Sequence, residues 1–426
     1  MLIRGLYTVF LTLTAPFLVW KLYRHRDGKP SVGSRWKEHF GITPPLKATS
    51  QPIWIHAVSV GETIAVSPLV RKLKQQHPDT PILITTTTAT GAEQAAKLSD
   101  VAEHRYMPFD FPFALKRFIK TINPSQLLIM ETELWPNTLF CVAQANIPIS
   151  IINARLSERS CQRYAKVRAL FTTLANNLHQ ILCQYPSDAE RFIRLGVPPE
   201  KVKVTGSIKF DIEISPSTIE QGNQLRQQLG YARPIWIAAS THKGEDEQIL
   251  AAHKAVLKSY PEALLILVPR HPERFNEVFE LCLQSFKTQC RTSVQSSLLD
   301  KETQIFLGDT MGEMLILLQA TDICFMGGSL LGDKVGGHNV LEPAALGKAI
   351  LTGPSYFNFK EIVQELLQND GCIIVNAKEL ARQVITLIDE KDIRTTLGIN
   401  AIETVIKNRT SIQKTLLEIE NVKKNQ

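Results

Sequence analysis

Residues 52–87 read PIWIHAVSVGETIAVSPLVRKLKQQHPDTPILITTT, and this stretch decides the fold. Pro52–Ser59 is a short, continuous apolar run and reads as a buried strand. Thr63–Gln76 carries Ile64, Val66, Leu69, Val70 and Leu73 at helical spacing, and Pro81–Thr87 is the next strand. Strand, helix and strand at this rhythm predict a parallel sheet with crossover helices. Working outward, a turn-rich Met107–Pro112 and a helix to about Lys120 lead to strands at Gln126–Met130, Pro148–Asn153 and Gln180–Gln184. The rhythm pauses at Lys209–Asn223, whose turn residues and weak periodicity mark a linker. A second series follows at Pro234–Ala239, Ala263–Pro269, Gln304–Leu307, Ile323–Gly327, Ala349–Thr352 and Cys372–Val375. Two α/β halves of about 190 residues each result, an ordinary domain size. The expected division is an anchor over 1–26, a first domain over 27–215 and a second over 224–426 that includes the terminal helices.

The chain has 426 residues, 44% of them hydrophobic and 21% charged, which excludes a mainly disordered protein. A net charge of +7 is too small to argue for nucleic acid, but it favours an anionic surface or phosphorylated substrates. Seven scattered cysteines with no CxxC pair argue against a zinc ribbon or a disulfide framework, and fit a reducing cytosol. The loops of P-loop ATPases (GxxxxGK[ST]), dehydrogenases (GxGxxG), zinc proteases (HExxH) and α/β-hydrolases (GxSxG) are missing.

The one long apolar run is Gly5–Trp20. As a helix it covers about 24 Å, against a hydrocarbon core of about 30 Å. Lys21, Arg24, Arg26, Lys29, Arg35 and Lys37 follow it, and the positive-inside rule then places the rest of the chain in the cytoplasm. Charges after the run, with no A-x-A, favour an anchor over a cleaved signal peptide. Tyr7, Trp20 and Tyr23 suit the membrane interface.

Five constellations can carry chemistry. Ligands of open parallel sheets bind beyond the carboxyl ends of the strands, and four of the five follow strands directly. His56–Thr63 ends the first strand and holds Glu62, either a general base with a raised pKa or a first-turn acid that complements the helix dipole. Glu131–Asn137 (ETELWPN) packs two carboxylates, a Trp and a Pro into one junction, either a pocket wall or a rigid cap. Arg155, Arg159 and Arg163 step by four and share a face if helical, either a phosphate site or a solvated surface. Ala239–Glu245 (ASTHKGE) and Val268–Arg274 (VPRHPER) are polar loops, Arg270 being suited to an anion. Phe325–Ser329 ends a strand, and Gly336–Ala345 opens a helix with Glu342 near its start. Backbone N–H groups would hold a phosphate there and an acid would hold a ribose.

HAVSVGE, ETELWPN, NARLSERS, TGSIKFD, ASTHKGE, VPRHPER, FMGGSL and GGHNVLEP occur in the order found in 3-deoxy-D-manno-octulosonic acid (Kdo) transferases of lipopolysaccharide synthesis. The chain resembles that family from the N-terminal segment to about residue 360. The resemblance implies a GT-B glycosyltransferase: two Rossmann-like domains facing a cleft, with an N-terminal membrane-anchor helix. It implies transfer of Kdo from CMP-Kdo to the lipid A precursor (lipid IVA), with inversion, at the cytoplasmic face of the bacterial inner membrane. By motif Glu62 looks like the catalytic base. Arg270, His271, Gly312, Glu313, Ser329, Asn339, Glu342 and Lys209 look like donor contacts. Ser59, Gly61, Glu131, Arg155 and Arg159 look like the acceptor side. No DxD pair is present, so neither a metal nor a cofactor is called for, and membrane lipids join donor and acceptor as partners. Another GT-B sugar-nucleotide enzyme, with a different donor or an epimerase activity, is the alternative. A catalytically dead scaffold is a third reading, against which the intact Glu62 and Glu342 loops stand.

Overall fold

The computed structural model describes residues 2–23, 31–212, 214–293 and 299–424. It divides into two compact units, Met1–Asp211 with Thr410–Gln426, and Ile212–Arg409. The unit boundary at Asp211 falls inside the expected linker, but the linker itself is shorter, because Pro216–Leu229 is a helix capped by Ser215.

The first unit is built on β1 (Ile53–His56), β2 (Ile82–Thr86), β3 (Glu103–Tyr106), β4 (Gln126–Met130), β5 (Ile149–Ala154), β6 (Gln180–Cys183) and β7 (Val202–Val204). These form one parallel sheet in the order β3-β2-β1-β4-β5-β6-β7. The inner strands β1, β2, β4, β5 and β6 are buried along their whole length, as helices on both faces require. One face packs Trp54, Phe118, Leu127, Phe171 and Phe192. The other packs Ile53, Ile55, Val66, Leu69 and Leu128.

That second face also takes Ile412, Leu416 and Ile419. They come from the helix Ser411–Lys424, which the expected division gave to the second domain. The apolar row of this helix fits the first sheet, and Lys203 and Gln180 of the first unit bond Glu418. Periodicity shows that a helix has an apolar face but not which sheet covers it.

The second unit holds β8 (Ile235–Thr241), β9 (Leu264–Pro269), β10 (Thr288–Cys290), β11 (Ile305–Leu307), β12 (Ile323–Met326), β13 (Ala349–Thr352) and β14 (Ile373–Ile374). They too are parallel, in the order β10-β11-β9-β8-β12-β13-β14. In both sheets the first strand lies near the middle and the chain winds outward in two directions. A switch point therefore opens between β1 and β4, and another between β8 and β12.

The N-terminal segment is a helix, Leu2–Tyr23, with Pro16 inside it. Among the described residues no helix is long and apolar enough to cross a membrane. Arg24, Arg26 and Lys29 of the basic stretch lie outside the described residues, as do the side chains of Trp20, Lys21 and Tyr23. The helix docks on the first unit through Arg4, 3.3 Å above the Phe140 ring, and Thr8, bonded to Asn137 at 3.0 Å. Leu6, Val9, Phe10, Leu13 and Phe17 are exposed.

Buried Asp110 ties this region together. Its carboxylate accepts the N–H groups of Asn137 (3.0 Å) and Thr138 (2.7 Å) and the Thr138 hydroxyl (2.7 Å). The Tyr7 hydroxyl also bonds it. Asp110 thus caps the helix Pro136–Gln144 from outside and pins the N-terminal helix to it. Asp110→Ala leaves several buried donors without a partner, a loss of about 3–5 kcal/mol. The expected drop in thermal midpoint is about 10 °C, read by circular dichroism. An unchanged midpoint would mean that those donors find other acceptors.

Candidate active site

The first switch point gathers Glu62 and Glu131. Ser59 caps the helix Val60–Gln76, its hydroxyl oxygen accepting the Glu62 N–H at 3.2 Å. In return the Glu62 carboxylate accepts the Val58 N–H (2.8 Å) and the Ser59 hydroxyl (2.9 Å). This is a variant of the capping box, with the Val58 N–H in place of that of the cap residue Ser59, so the helix-start reading of Glu62 is correct as local structure. It does not exhaust the group. Each carboxylate oxygen keeps a lone pair, and the side chain is only half-buried. Burial raises its pKa, the bonds from Val58 and Ser59 pull it down, and the charges of Glu131 and Glu133 push it up again.

Glu131 follows β4 with φ +56°, a left-handed conformation that costs a non-glycine residue about 1 kcal/mol or more. Lys209 reaches it at 3.3 Å. Lys209 was expected among the donor contacts, yet it stands in the first unit on the turn Ile208–Phe210, beside an expected acceptor residue. Glu133 takes the Trp135 indole N–H at 3.0 Å, and the Thr132 hydroxyl bonds the Arg155 carbonyl. The ETELWPN junction is thus both rigid and acidic.

The three-arginine face needs correcting. Ser157 caps a helix that starts at Glu158, so Arg155 lies on the preceding loop and only Arg159 and Arg163 share a helix. Both are exposed. Glu158 pairs instead with Arg194 (2.7 Å) and Arg191 (3.3 Å). Spacing by four counts only inside a helix, and the Leu156–Ser157 turn breaks it.

In the second unit the residues fall into two groups. Arg270 and His271, after β9, are exposed, whereas Asn339 and Glu342, in the loop and short helix after β12, are partly buried. Asn339 donates to Glu342 at 3.4 Å and accepts the Leu341 N–H at 3.1 Å. Burial raises the Glu342 pKa, while Asn339 and Arg270 lower it. Glu313 is held by Arg291 through two bonds, 3.0 and 3.2 Å, beside Gly312 in a positive-φ turn.

Ser329 is fully buried; its hydroxyl donates to the Met326 carbonyl (2.6 Å) and accepts the Gly353 N–H (2.7 Å). The Ser329 hydroxyl, expected to contact the donor, is therefore engaged in shaping its own loop. The glycine-rich turn is likewise already engaged. Buried Glu245 accepts the N–H groups of Gly328 (2.6 Å), Ser329 (2.9 Å), Leu330 (2.9 Å) and His242 (3.1 Å). Gly337 donates to the Gly328 carbonyl at 2.9 Å. The N–H groups of Gly328, Ser329 and Leu330 are thus satisfied by the protein's own carboxylate, apart from the helix start at Gly337–Asn339 where a phosphate was expected. Gly328 itself sits at φ +69°, and any β-carbon there would fall 2.8 Å from the His338 ring.

Comparison with known proteins fits these two units. Residues 34–212 match the family model "3-Deoxy-D-manno-octulosonic-acid transferase (kdotransferase)", and residues 233–404 match "Glycosyl transferases group 1". The chain is similar to the 3-deoxy-D-manno-octulosonic acid transferase of Haemophilus influenzae, 42% identical over 97% of each chain. That of Bordetella pertussis is 33% identical over 85% of this chain and 86% of its own. This chain belongs to the Kdo transferase family. In fold, a glycosyltransferase structure from Rickettsia africae superposes with a TM-score of 0.58 at 15% identity, covering 88% of this chain and all of that one.

Sequence reasoning about this Kdo transferase missed three residues. Glu245 was quoted in a motif, but nothing in the sequence shows four N–H groups converging on it. His242 and His338 stand 96 positions apart, and their Nε2 atoms lie 2.8 Å apart in the structure. Only strand order reveals that pairing, because β8 and β12 are neighbours.

Proposed function

We propose that the protein transfers Kdo from CMP-Kdo to the lipid A precursor, lipid IVA, with inversion at the anomeric carbon. An acceptor hydroxyl gives its proton to Glu62 as its oxygen attacks that carbon. The bond to the CMP phosphate breaks, and CMP leaves with the electron pair. Attack by a base-activated hydroxyl on the face opposite the leaving group inverts the centre. The observation that carries this reading is Glu62 itself. It is fixed at the first switch point by two donors, with burial and two neighbouring carboxylates raising its affinity for a proton. In the second unit Arg270, Asn339 and Glu342 offer a cation, an amide and an acid to the nucleotide and the Kdo carboxylate.

The N-terminal helix supports the membrane part of the reading. Leu6, Phe10, Leu13 and Phe17 recur at helical spacing and are all exposed. In this proposal they enter the cytoplasmic leaflet of the inner membrane, with basic residues toward anionic lipid, and keep the site beside its lipid acceptor. The test is mass spectrometry of lipid IVA incubated with detergent-purified protein and freshly generated CMP-Kdo. A gain of one or more Kdo units is expected. No gain from a folded protein that binds CMP would remove lipid IVA as acceptor. Protection from heat by UDP and not by CMP would point to a different donor.

A further inference from the structure

The carboxyl ends of three adjacent strands, β9, β8 and β12, bring His271, His242 and His338 together. The rings of His242 and His338 are parallel, 4° apart in plane with centroids at 5.0 Å, and their Nε2 atoms meet at 2.8 Å. His271 stands edge-on to His242 at 5.3 Å. A contact this short between two imidazole nitrogens needs one N–H and one lone pair. The resting pair therefore shares a single hydrogen between its Nε2 atoms and, when neutral, holds two protons on four nitrogens.

The surroundings are cationic. From the loop after β9, Arg270, His271 and Arg274 face His242, and from its own loop Asp246 does so. Asp246 is already engaged by Arg274 and by the Thr241 hydroxyl at 2.6 Å. His242, Arg270 and His271 face His338, and Glu342 faces Arg270 from the short helix beyond. Glu245 holds the His242 backbone N–H at 3.1 Å, but among the described residues no carboxylate forms an ion pair with the side chain of Arg270, His242 or His338. Asp246 is taken by Arg274 and Glu342 by Asn339, so the positive groups that converge here outnumber the anions left to face them, which is the environment of a site whose counter-ion is a ligand.

We propose that His242 and His338 form a proton-sharing anion clamp for the donor, which takes up a proton from solvent when an anionic group of the donor binds beside Arg270. This rests on the CMP-Kdo reading above, which supplies a phosphate and a carboxylate. The added proton gives the pair three protons on four nitrogens and one positive charge, and makes the Nε2–Nε2 bond charge-assisted. Burial, and then the neighbouring cations, hold His338 down at about 4 and His242 below its ordinary value. At neutral pH these groups alone therefore leave the pair uncharged, and an anion beside it favours the proton.

Isothermal titration calorimetry at pH 7, in two buffers of different ionisation enthalpy, counts the protons. CMP is one probe and free Kdo the other, separating phosphate from carboxylate. With one of them the intact protein is expected to take up about 0.5–1 proton, and its Kd to weaken about three- to tenfold from pH 6.5 to 7.5. His242→Gln and His338→Gln should each bring the uptake near zero and flatten the pH dependence. Binding of CMP with no proton uptake from either ligand overturns the clamp and leaves the donor reading standing. Uptake that survives in both Gln variants overturns it as well. No CMP binding at all overturns the donor reading and the clamp together. The wild-type measurement decides the matter even if a variant fails to fold.

Discussion

Glu62→Gln lowers turnover by about 10²–10⁴-fold, the usual worth of a positioned general base, while CMP affinity stays within about twofold because the nucleotide is assigned to the second unit. Glutamine is nearly the same size and still accepts one of the two bonds from Val58 and Ser59. The loss of the other weakens the helix start by about 1 kcal/mol, too little to unfold the protein. The base works only when ionised, so kcat/KM falls as pH falls through its pKa. Burial and then the neighbouring acids raise that value, so the acid limb lies above the ordinary carboxylate range. Glu131→Gln removes one of those negative neighbours and should move the limb to lower pH. The measurement is the pH profile of initial rates with CMP-Kdo and lipid IVA. A Glu62→Gln enzyme that keeps more than about a tenth of its turnover puts the base elsewhere.

Glu245→Ala is the second large effect. It strips four backbone N–H groups of their shared acceptor in a fully buried place. Hydrogen bonds to a charged group are worth about 1.5–3 kcal/mol each, and stranded donors add to the cost, so a net loss of about 4 kcal/mol is a conservative sum. For a unit of this size that is about 10 °C in thermal midpoint. Glu245→Gln separates folding from function. One oxygen still accepts, but the NH₂ group now faces N–H groups, which forces the turn open. The folded Gln variant should show a KM for CMP-Kdo raised at least about tenfold, because Gly328 and His242 move with the turn. A normal KM would show that the turn's shape does not matter to the donor.

Much of the fold was legible because buried parallel strands are continuous apolar runs. Gln126–Met130 and Ala349–Thr352 match the observed strands at both ends, and most others agree within a residue or two. The strands that escaped notice are β3, β7 and β10, with sequences EHRY, VKV and TQC. Each lies at the edge of a sheet, where one side meets water and the apolar signal fades. Candidate site residues that share a single loop, such as Glu62 beside Ser59, were visible through local spacing. Residues defined by convergence were not. Glu245, His242 and His338 acquire their roles only when β8, β9 and β12 are laid side by side, and Ser329 reads as a ligand contact until its burial is known.

In sequence the second unit is one uninterrupted segment, Ile212–Arg409, inserted within the first, whose core on one sheet face is completed by the helix Ser411–Lys424. That arrangement imposes an order on biosynthesis. A ribosome finishes all of Ile212–Arg409 before it makes Ile412, Leu416 and Ile419. The earlier-made unit must meanwhile wait with Ile53, Val66 and Leu69 incompletely covered, while the later-made one can fold at once. Premature termination anywhere before residue 410 therefore damages the domain synthesised first, and a nascent chain stalled there is a natural client for chaperones that bind exposed apolar surface.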